Sequence, residues 1–316
     1  MGYVYALLAA LLFGANGSVT KVILSSGFTP AQVTVLRIVG TAVIAGAVLL
    51  VSSRAAFRVS WRQLGILATL GVTGVAILQF AYAIAITLLP VGITLLFEYL
   101  AVLLVALVAF FLFKEHVKIR LWIAIVFVLL GLALVAEVWD STLEAVGVIA
   151  ALVSAVALTV YFVVGEREVG KATPLTVLFW TMVFGCLFWI VFGDWRQIDP
   201  AIFGTSISLG GHLAGISLPF WILIAWNIVL GSFIPYLFSF LALRYLSATA
   251  AGIIASAEVM FAFAVAWLWL GESLNLIQIM GGSVVLVGIV LAQTARMHKV
   301  VQADLVLVDT AAITLP

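Results

Sequence analysis

About ten stretches of the chain stay apolar for close to the ~20 residues that a helix needs to cross the hydrocarbon core of a bilayer. They are residues 3–24, 31–51, 64–86, 92–113, 119–136, 145–164, 175–192, 220–243, 249–270 and 276–293. Runs of this length exclude most alternatives. Strands of a membrane β-barrel alternate apolar and polar over about 10 residues, and these runs do not alternate. With 66% hydrophobic and only 9% charged residues, and a mean hydropathy of +1.35, the chain cannot cover itself with polar surface. The expected class is an all-α integral membrane protein of ten transmembrane helices.

The chain also repeats itself. Residues 89–117 align without a gap on residues 246–274, and the register continues from Val128-Leu129-Leu130-Gly131 to Val285-Leu286-Val287-Gly288. Further upstream, Thr29-Pro30 answers Thr173-Pro174, and Ala9-Ala10-Leu11 answers Ala150-Ala151-Leu152. The expected division is a first five-helix repeat over 1–137, a second over 138–296, and a tail over 297–316 outside the fold. Five spans per repeat is an odd number, so the second repeat starts on the opposite side of the membrane and the halves are inverted.

Basic residues sort by side. Arg54, Arg58, Arg62, Lys114, Lys118, Arg120, Arg167, Lys171, Arg244, Arg296 and Lys299 fall on one side and Arg196 on the other, while Lys21 and Arg37 lie inside spans. Both termini are therefore expected in the cytoplasm. The first span lacks a basic n-region and a small-residue cleavage site, so it reads as a permanent helix rather than a signal peptide.

Several function classes find no support. The net charge of +1 indicates no nucleic-acid partner. The sequence has no phosphate-binding Gly-Lys-Ser/Thr loop, no His/Cys metal spacing and no Gly-x-Ser-x-Gly elbow, so neither an enzyme, a metal site nor a cofactor is expected. Cys186 reads as a small core residue. His116, His212 and His298 fall in loops or the tail, where structural or solvated roles are expected. Residues 193–219 read as an external loop.

The chemistry is expected where polarity enters the spans, because a charge in hydrocarbon is costly and usually faces the bundle interior, a partner or an aqueous path. Four residues qualify: Lys21 near the end of the first span, Arg37 and Glu98 deeper, and Glu258 near mid-bilayer. Arg37 and Glu98 lie at matching depth, which predicts that they pair; coupling to transport or holding a substrate carboxylate are the functional alternatives. Glu258 has no cation at its depth, leaving a neutral hydrogen-bonding role and proton carriage both open. Glu115 and Glu272 occupy equivalent positions at the membrane edge and are assigned structural roles.

The repeat aligns Gln79 and Tyr82 with Tyr236 and Ser239, and the three-residue spacing puts each pair on one helical face. Asn16, Thr20 and Phe13 form another stripe. With Tyr99 and Trp180, these residues make Asn16, Gln79, Tyr82, Tyr99, Trp180, Tyr236 and Ser239 the expected substrate-binding set, suited to a ligand with an apolar or aromatic body and a polar end. Packing is the plainer explanation for any one of the aromatics. Gly71, Gly74, Gly281, Gly282 and Gly288 are expected to allow close helix contacts, and Pro90 and Pro235 to kink or hinge helices.

Two inverted halves, Phe13-Gly14-x-Asn16 with Lys21 in the first helix, Arg37 in the second, and Lys114-Glu115 and Gly271-Glu272 closing the fourth and ninth spans resemble the EamA-type branch of the drug/metabolite transporter superfamily. Within it, length and aromatic-rich spans are similar to the bacterial inner-membrane exporters of aromatic amino acids and methyl viologen. The resemblance implies a secondary transporter exporting small metabolites by alternating access, with spans one to four and six to nine rocking around a central cavity. The fifth and tenth spans would support packing or dimer contacts, giving a monomer or weak homodimer. A multidrug or cation exporter, a channel and a membrane-embedded enzyme are the competing readings. The second repeat carries Thr181 where the first carries Arg37, so charge recognition is expected to be asymmetric.

Overall fold

The computed structural model describes residues 1–52, 57–111, 119–135, 143–193 and 195–294, and is mostly helical. Six helices are long and apolar enough to cross a membrane: α1 (Gly2–Ser25), α2 (Pro30–Ser52), α3 (Trp61–Leu88), α6 (Ala145–Val169), α7 (Pro174–Phe192) and α8 (Phe220–Tyr245). Between and after them lie α4 (Val91–Glu98 and Leu100–Phe111), α5 (Arg120–Val135), α9 (Ala248–Ala255 and Ala257–Leu270) and α10 (Leu276–Thr294). Helix is the backbone's answer to a solvent without hydrogen bonds, since it satisfies every N–H and C=O within the segment.

Side-chain burial sorts as lipid requires. Val43, Ile149, Val153, Val156, Leu130 and Val287 face outward, while the interior holds Ile23, Ile38, Leu67, Ile86, Ile93 and Phe240. Lipid tails are as apolar as leucine and offer little drive for helices to associate, so close backbone approach through small residues must supply it. A Cβ on Gly131 would meet the Gly281 carbonyl at 2.7 Å, and one on Gly288 would meet the Val128 amide at 3.0 Å, which locks α5 to α10. Gly71 approaches the Thr181 carbonyl in the same way, joining α3 to α7.

Three expectations need correction here. The spans expected over 92–113 and 249–270 are not continuous helices. Each is pinched, at Tyr99 and at Ser256, by an i→i+3 hydrogen bond from Val102 N to Tyr99 O (3.1 Å) and from Val259 N to Ser256 O (3.2 Å). Pro90 does not act as expected: it caps α4 rather than kinking it. Pro235 stands just after a π-helical turn at Val229–Phe233 that interrupts α8, and, having no N–H, it cannot donate to the Gly231 carbonyl four residues back. A matching π turn, Val72–Ile77, interrupts α3. The two π turns, like the two pinches, are separated by the same sequence offset that aligns Leu89 with Leu246. The external loop carries structure of its own: β1 (Ser206–Ser208) pairs antiparallel with β2 (Ser217–Pro219), and Trp269 Nε1 of α9 donates to Leu209 O at 2.9 Å.

Thr29 and Thr173 cap α2 and α7 identically, each accepting from the backbone N–H three residues on. Such a cap satisfies a donor that the helix leaves unpaired. Glu115, His116, His298 and the 297–316 tail lie outside the described residues.

Candidate functional site

A cavity of about 70 Å³ opens between the helices, with room for several water molecules. Its wall takes Phe13 and Asn16 from α1, Arg37 from α2, Gln79 and Tyr82 from α3, Glu98 and Tyr99 from α4, Tyr161 and Phe162 from α6, Tyr236 and Ser239 from α8, and Glu258 from α9. Nine of the eleven expected binding residues and intramembrane charges therefore meet in one place: Asn16, Arg37, Gln79, Tyr82, Glu98, Tyr99, Tyr236, Ser239 and Glu258. On α1 the lining residues run from Ala6 to Asn16, so the Lys21 end of that helix is not part of the chamber.

The expected Arg37–Glu98 ion pair does not form. Among the described residues the ion pairs are Lys21–Glu272 and Lys171–Glu168. Arg37 instead donates from Nη2 to the Gly231 carbonyl at 2.9 Å, in the π turn of α8. Glu98 accepts from the Ser154 hydroxyl of α6. Matching depth was not enough, because the rotation of each helix points the two side chains at different neighbours. Glu258 accepts from the Tyr99 hydroxyl at 2.7 Å.

A third polar cluster closes the chamber beyond Asn16. Asn227 Nδ2 of α8 donates to Asn16 Oδ1 at 3.1 Å and to Thr20 Oγ1 at 2.9 Å, while Asn16 Nδ2 donates to Thr20 Oγ1 at 3.2 Å. The carboxamide of Asn16 lies where a Cβ on Gly231 would project, so only glycine admits it. Arg37–Gly231, Glu98–Ser154, Glu258–Tyr99 and Asn16–Asn227 each join a residue before position 137 to one after 144, so the polar wall is assembled from both parts of the chain.

Trp180 of the expected binding set and Lys21 of the intramembrane charges stand elsewhere. Trp180 lies outside the cavity wall: its Nε1 donates to Phe57 O at 3.3 Å, just before α3, and its ring packs on Phe179 and Phe184. An indole with one polar atom prefers the edge of a bundle, where that atom finds a carbonyl. Lys21 is bonded to Glu272 Oε1 at 2.6 Å and to Leu89 O at 3.2 Å, and Glu272 Oε2 accepts from Val91 N at 3.0 Å. This knot ties the ends of α1 and α9 to the start of α4.

Sequence reasoning missed Asn227, Ser154 and Tyr161. The signal for Asn227 was present, as the lone amide in an otherwise apolar stretch from Phe220 to Leu230. The aromatic wall is continuous: Phe13 meets Tyr236 edge-on at 4.9 Å, and Tyr161 meets Tyr236 at 5.7 Å.

The EamA-like transporter family model matches residues 1–136 and again 145–294. The chain belongs to the EamA-like transporter family. A Bacillus subtilis (strain 168) protein described as the uncharacterized transporter YdfC is 24% identical over 221 residues, 70% of this chain and 68% of that one. A crystal structure of another protein superposes with a TM-score of 0.66 at 16% identity, covering 92% of this chain and 96% of the other, a likeness of fold alone. The chamber thus sits in a multi-pass membrane protein of a transporter family.

Proposed function

We propose that this EamA-family protein is a secondary transporter that exports small metabolites, foremost aromatic amino acids, by alternating access, with no catalytic role. The observation that carries the reading is the chamber itself: aromatic walls, two carboxyls and one guanidinium meet between helices from both parts of the chain. A zwitterion with an aromatic body needs that combination. The architecture we infer is ten spans in two inverted halves, supported by the double family match and by the paired π turns and pinches. The basic-residue bias supports a bacterial inner-membrane location with both termini in the cytoplasm. The chamber then faces inward, sealed on the outer side by the Lys21–Glu272 knot. The packing of α5 against α10 supports their role as a scaffold and as the surface for any weak dimer.

Glu98 and Glu258 in one chamber favour a second reading, a multidrug or organic-cation exporter of the same superfamily. Counterflow in proteoliposomes separates the two. Labelled phenylalanine is expected to exchange saturably and stereoselectively, and an imposed pH gradient to change its rate. Exchange of organic cations alone would establish the second reading, and the absence of any gradient effect would leave facilitated diffusion. Leakage without saturation would mean a channel.

Tyr82→Ala and Tyr99→Ala are expected to weaken phenylalanine roughly 2- to 10-fold more than alanine as competitor, since loss of an aromatic contact is worth roughly 0.5–1.5 kcal/mol. Equal effects on both competitors would make these tyrosines packing residues.

A further inference from the structure

Arg37 is the one chamber charge whose environment is incomplete. It is 5% exposed, yet its Nε has no partner and no carboxylate lies within ion-pair distance among the described residues. Among the described residues its sole hydrogen bond goes to a neutral carbonyl, that of Gly231. Glu98 and Glu258 reach it electrostatically but not by contact, since Glu98 is bonded to Ser154 and Glu258 to Tyr99. A buried guanidinium held this way is expensive unless something else supplies an anion.

The atoms around it are unfinished in the same sense. Gln79 is 3% exposed, and its carboxamide meets no polar partner beyond the Tyr236 hydroxyl across the chamber. The Tyr82 hydroxyl is also unpartnered. All of these residues line the same chamber, and Tyr82 and Tyr236 lie within electrostatic reach of the guanidinium. A buried polar atom normally has a partner, and several orphans converging on one space mark where one is missing.

We propose that Arg37 is the anchor for the carboxylate of the cargo, with Gln79 and the Tyr82 hydroxyl completing its hydrogen bonds. The planar guanidinium fork matches a carboxylate in two bonds, which a lysine ammonium cannot do. The cargo is then an organic carboxylate whose apolar body lies along Phe13, Tyr161 and Tyr236. This deepens the export reading by assigning one end of the ligand, and it rests on the chamber being the binding site.

Three probes test it on the purified full-length protein: L-phenylalanine, 3-phenylpropionate, which lacks the amine, and 2-phenylethylamine, which lacks the carboxylate. Truncating one partner of a buried charge pair leaves the other charge unpaired, so Arg37→Gln is expected to weaken phenylalanine and phenylpropionate by roughly 100-fold and phenylethylamine by less than about 3-fold. Arg37→Lys keeps the charge without the fork, and an intermediate loss of roughly 10-fold, again confined to the two carboxylates, is expected. Gln79→Ala gives the same selectivity at smaller size. Equal weakening of all three probes would reduce Arg37 to a helix tie. No weakening, or a wild-type protein that binds only the amine, would overturn the anchor. Carboxylate binding lost with Arg37 but never followed by transport in liposomes would leave the anchor standing and remove the export reading.

Discussion

Gly231→Ala is expected to destabilise the protein by about 2–4 kcal/mol, because the new methyl lands in the Asn16 carboxamide and must evict it. Asn16 cannot simply swing aside. It is 2% exposed, accepts from Asn227 and donates to Thr20, so moving it leaves buried polar groups unpaired at about 1–3 kcal/mol each. The carbonyl of the same glycine holds Arg37, so any shift of the π turn also disturbs the chamber's only guanidinium. The check is a double-mutant cycle on thermal unfolding in detergent. In an Asn16→Ala background the clash partner is gone, and Gly231→Ala should then cost under about 0.5 kcal/mol, a strong non-additivity. Additive costs would show that the π turn rejects alanine for backbone reasons of its own, and the glycine would owe its place to the turn rather than to Asn16.

Gly231 also shows why part of the fold was readable and part was not. The apolar runs announce themselves because hydrocarbon leaves the backbone no option but long helix, and the six longest helices fall within a few residues of the expected spans. What interrupts a helix is decided by neighbours. The π turns of α3 and α8 carry aligned glycines, Gly74 and Gly231, and the pinches aligned residues Tyr99 and Ser256, but nothing in those residue types alone demands a change of hydrogen-bond register; a third π turn, Ala266–Leu270 in α9, has no glycine at all. Packing demands it: Gly74 abuts the Tyr161 backbone and Gly231 abuts Asn16. The external hairpin was hidden for a related reason, since three-residue strands are too short to show a period.

For the site, residue identity was legible and pairing was not. A charge or amide inside an apolar run is conspicuous because lipid penalises it, which is why nine of the expected residues line one chamber. Which partner each one finds depends on helix rotation, and depth carries no information about that. Arg37 and Glu98, expected at one level, face α8 and α6 respectively. Glu272 was read as an edge residue from its repeat position alone, whereas its contact with Lys21 needed the ends of α1 and α9 to be brought together in space.

That contact yields the second large effect. Lys21 and Glu272 are 30% and 17% exposed, too sheltered for the 0–1 kcal/mol of an open surface pair. Each also bonds to the chain around Pro90, through Leu89 O and Val91 N, so losing either side chain removes a charge-assisted link worth about 1.5–3 kcal/mol. Because these bonds tie α1, α4 and α9 only while their ends are together, that energy biases the protein toward closure on the Lys21 side. Lys21→Met or Glu272→Gln should therefore raise the open fraction on that side by about 10-fold, a shift of 1.4 kcal/mol. The readout uses a single thiol: with the only cysteine removed by Cys186→Ser, Ser239→Cys places a reporter on the chamber wall. A membrane-impermeant thiol reagent applied from the Lys21 side should modify it about 10-fold faster in either charge variant than in the parent. The reversed pair, Lys21→Glu with Glu272→Lys, restores the attraction but offers its ammonium to Val91 N and its carboxylate to Leu89 O, donor to donor and acceptor to acceptor. It should recover only part of the protection. Unchanged labelling in all three variants would mean the knot fastens a surface that never opens, and the barrier would then have to lie deeper, at Asn16, Thr20 and Asn227.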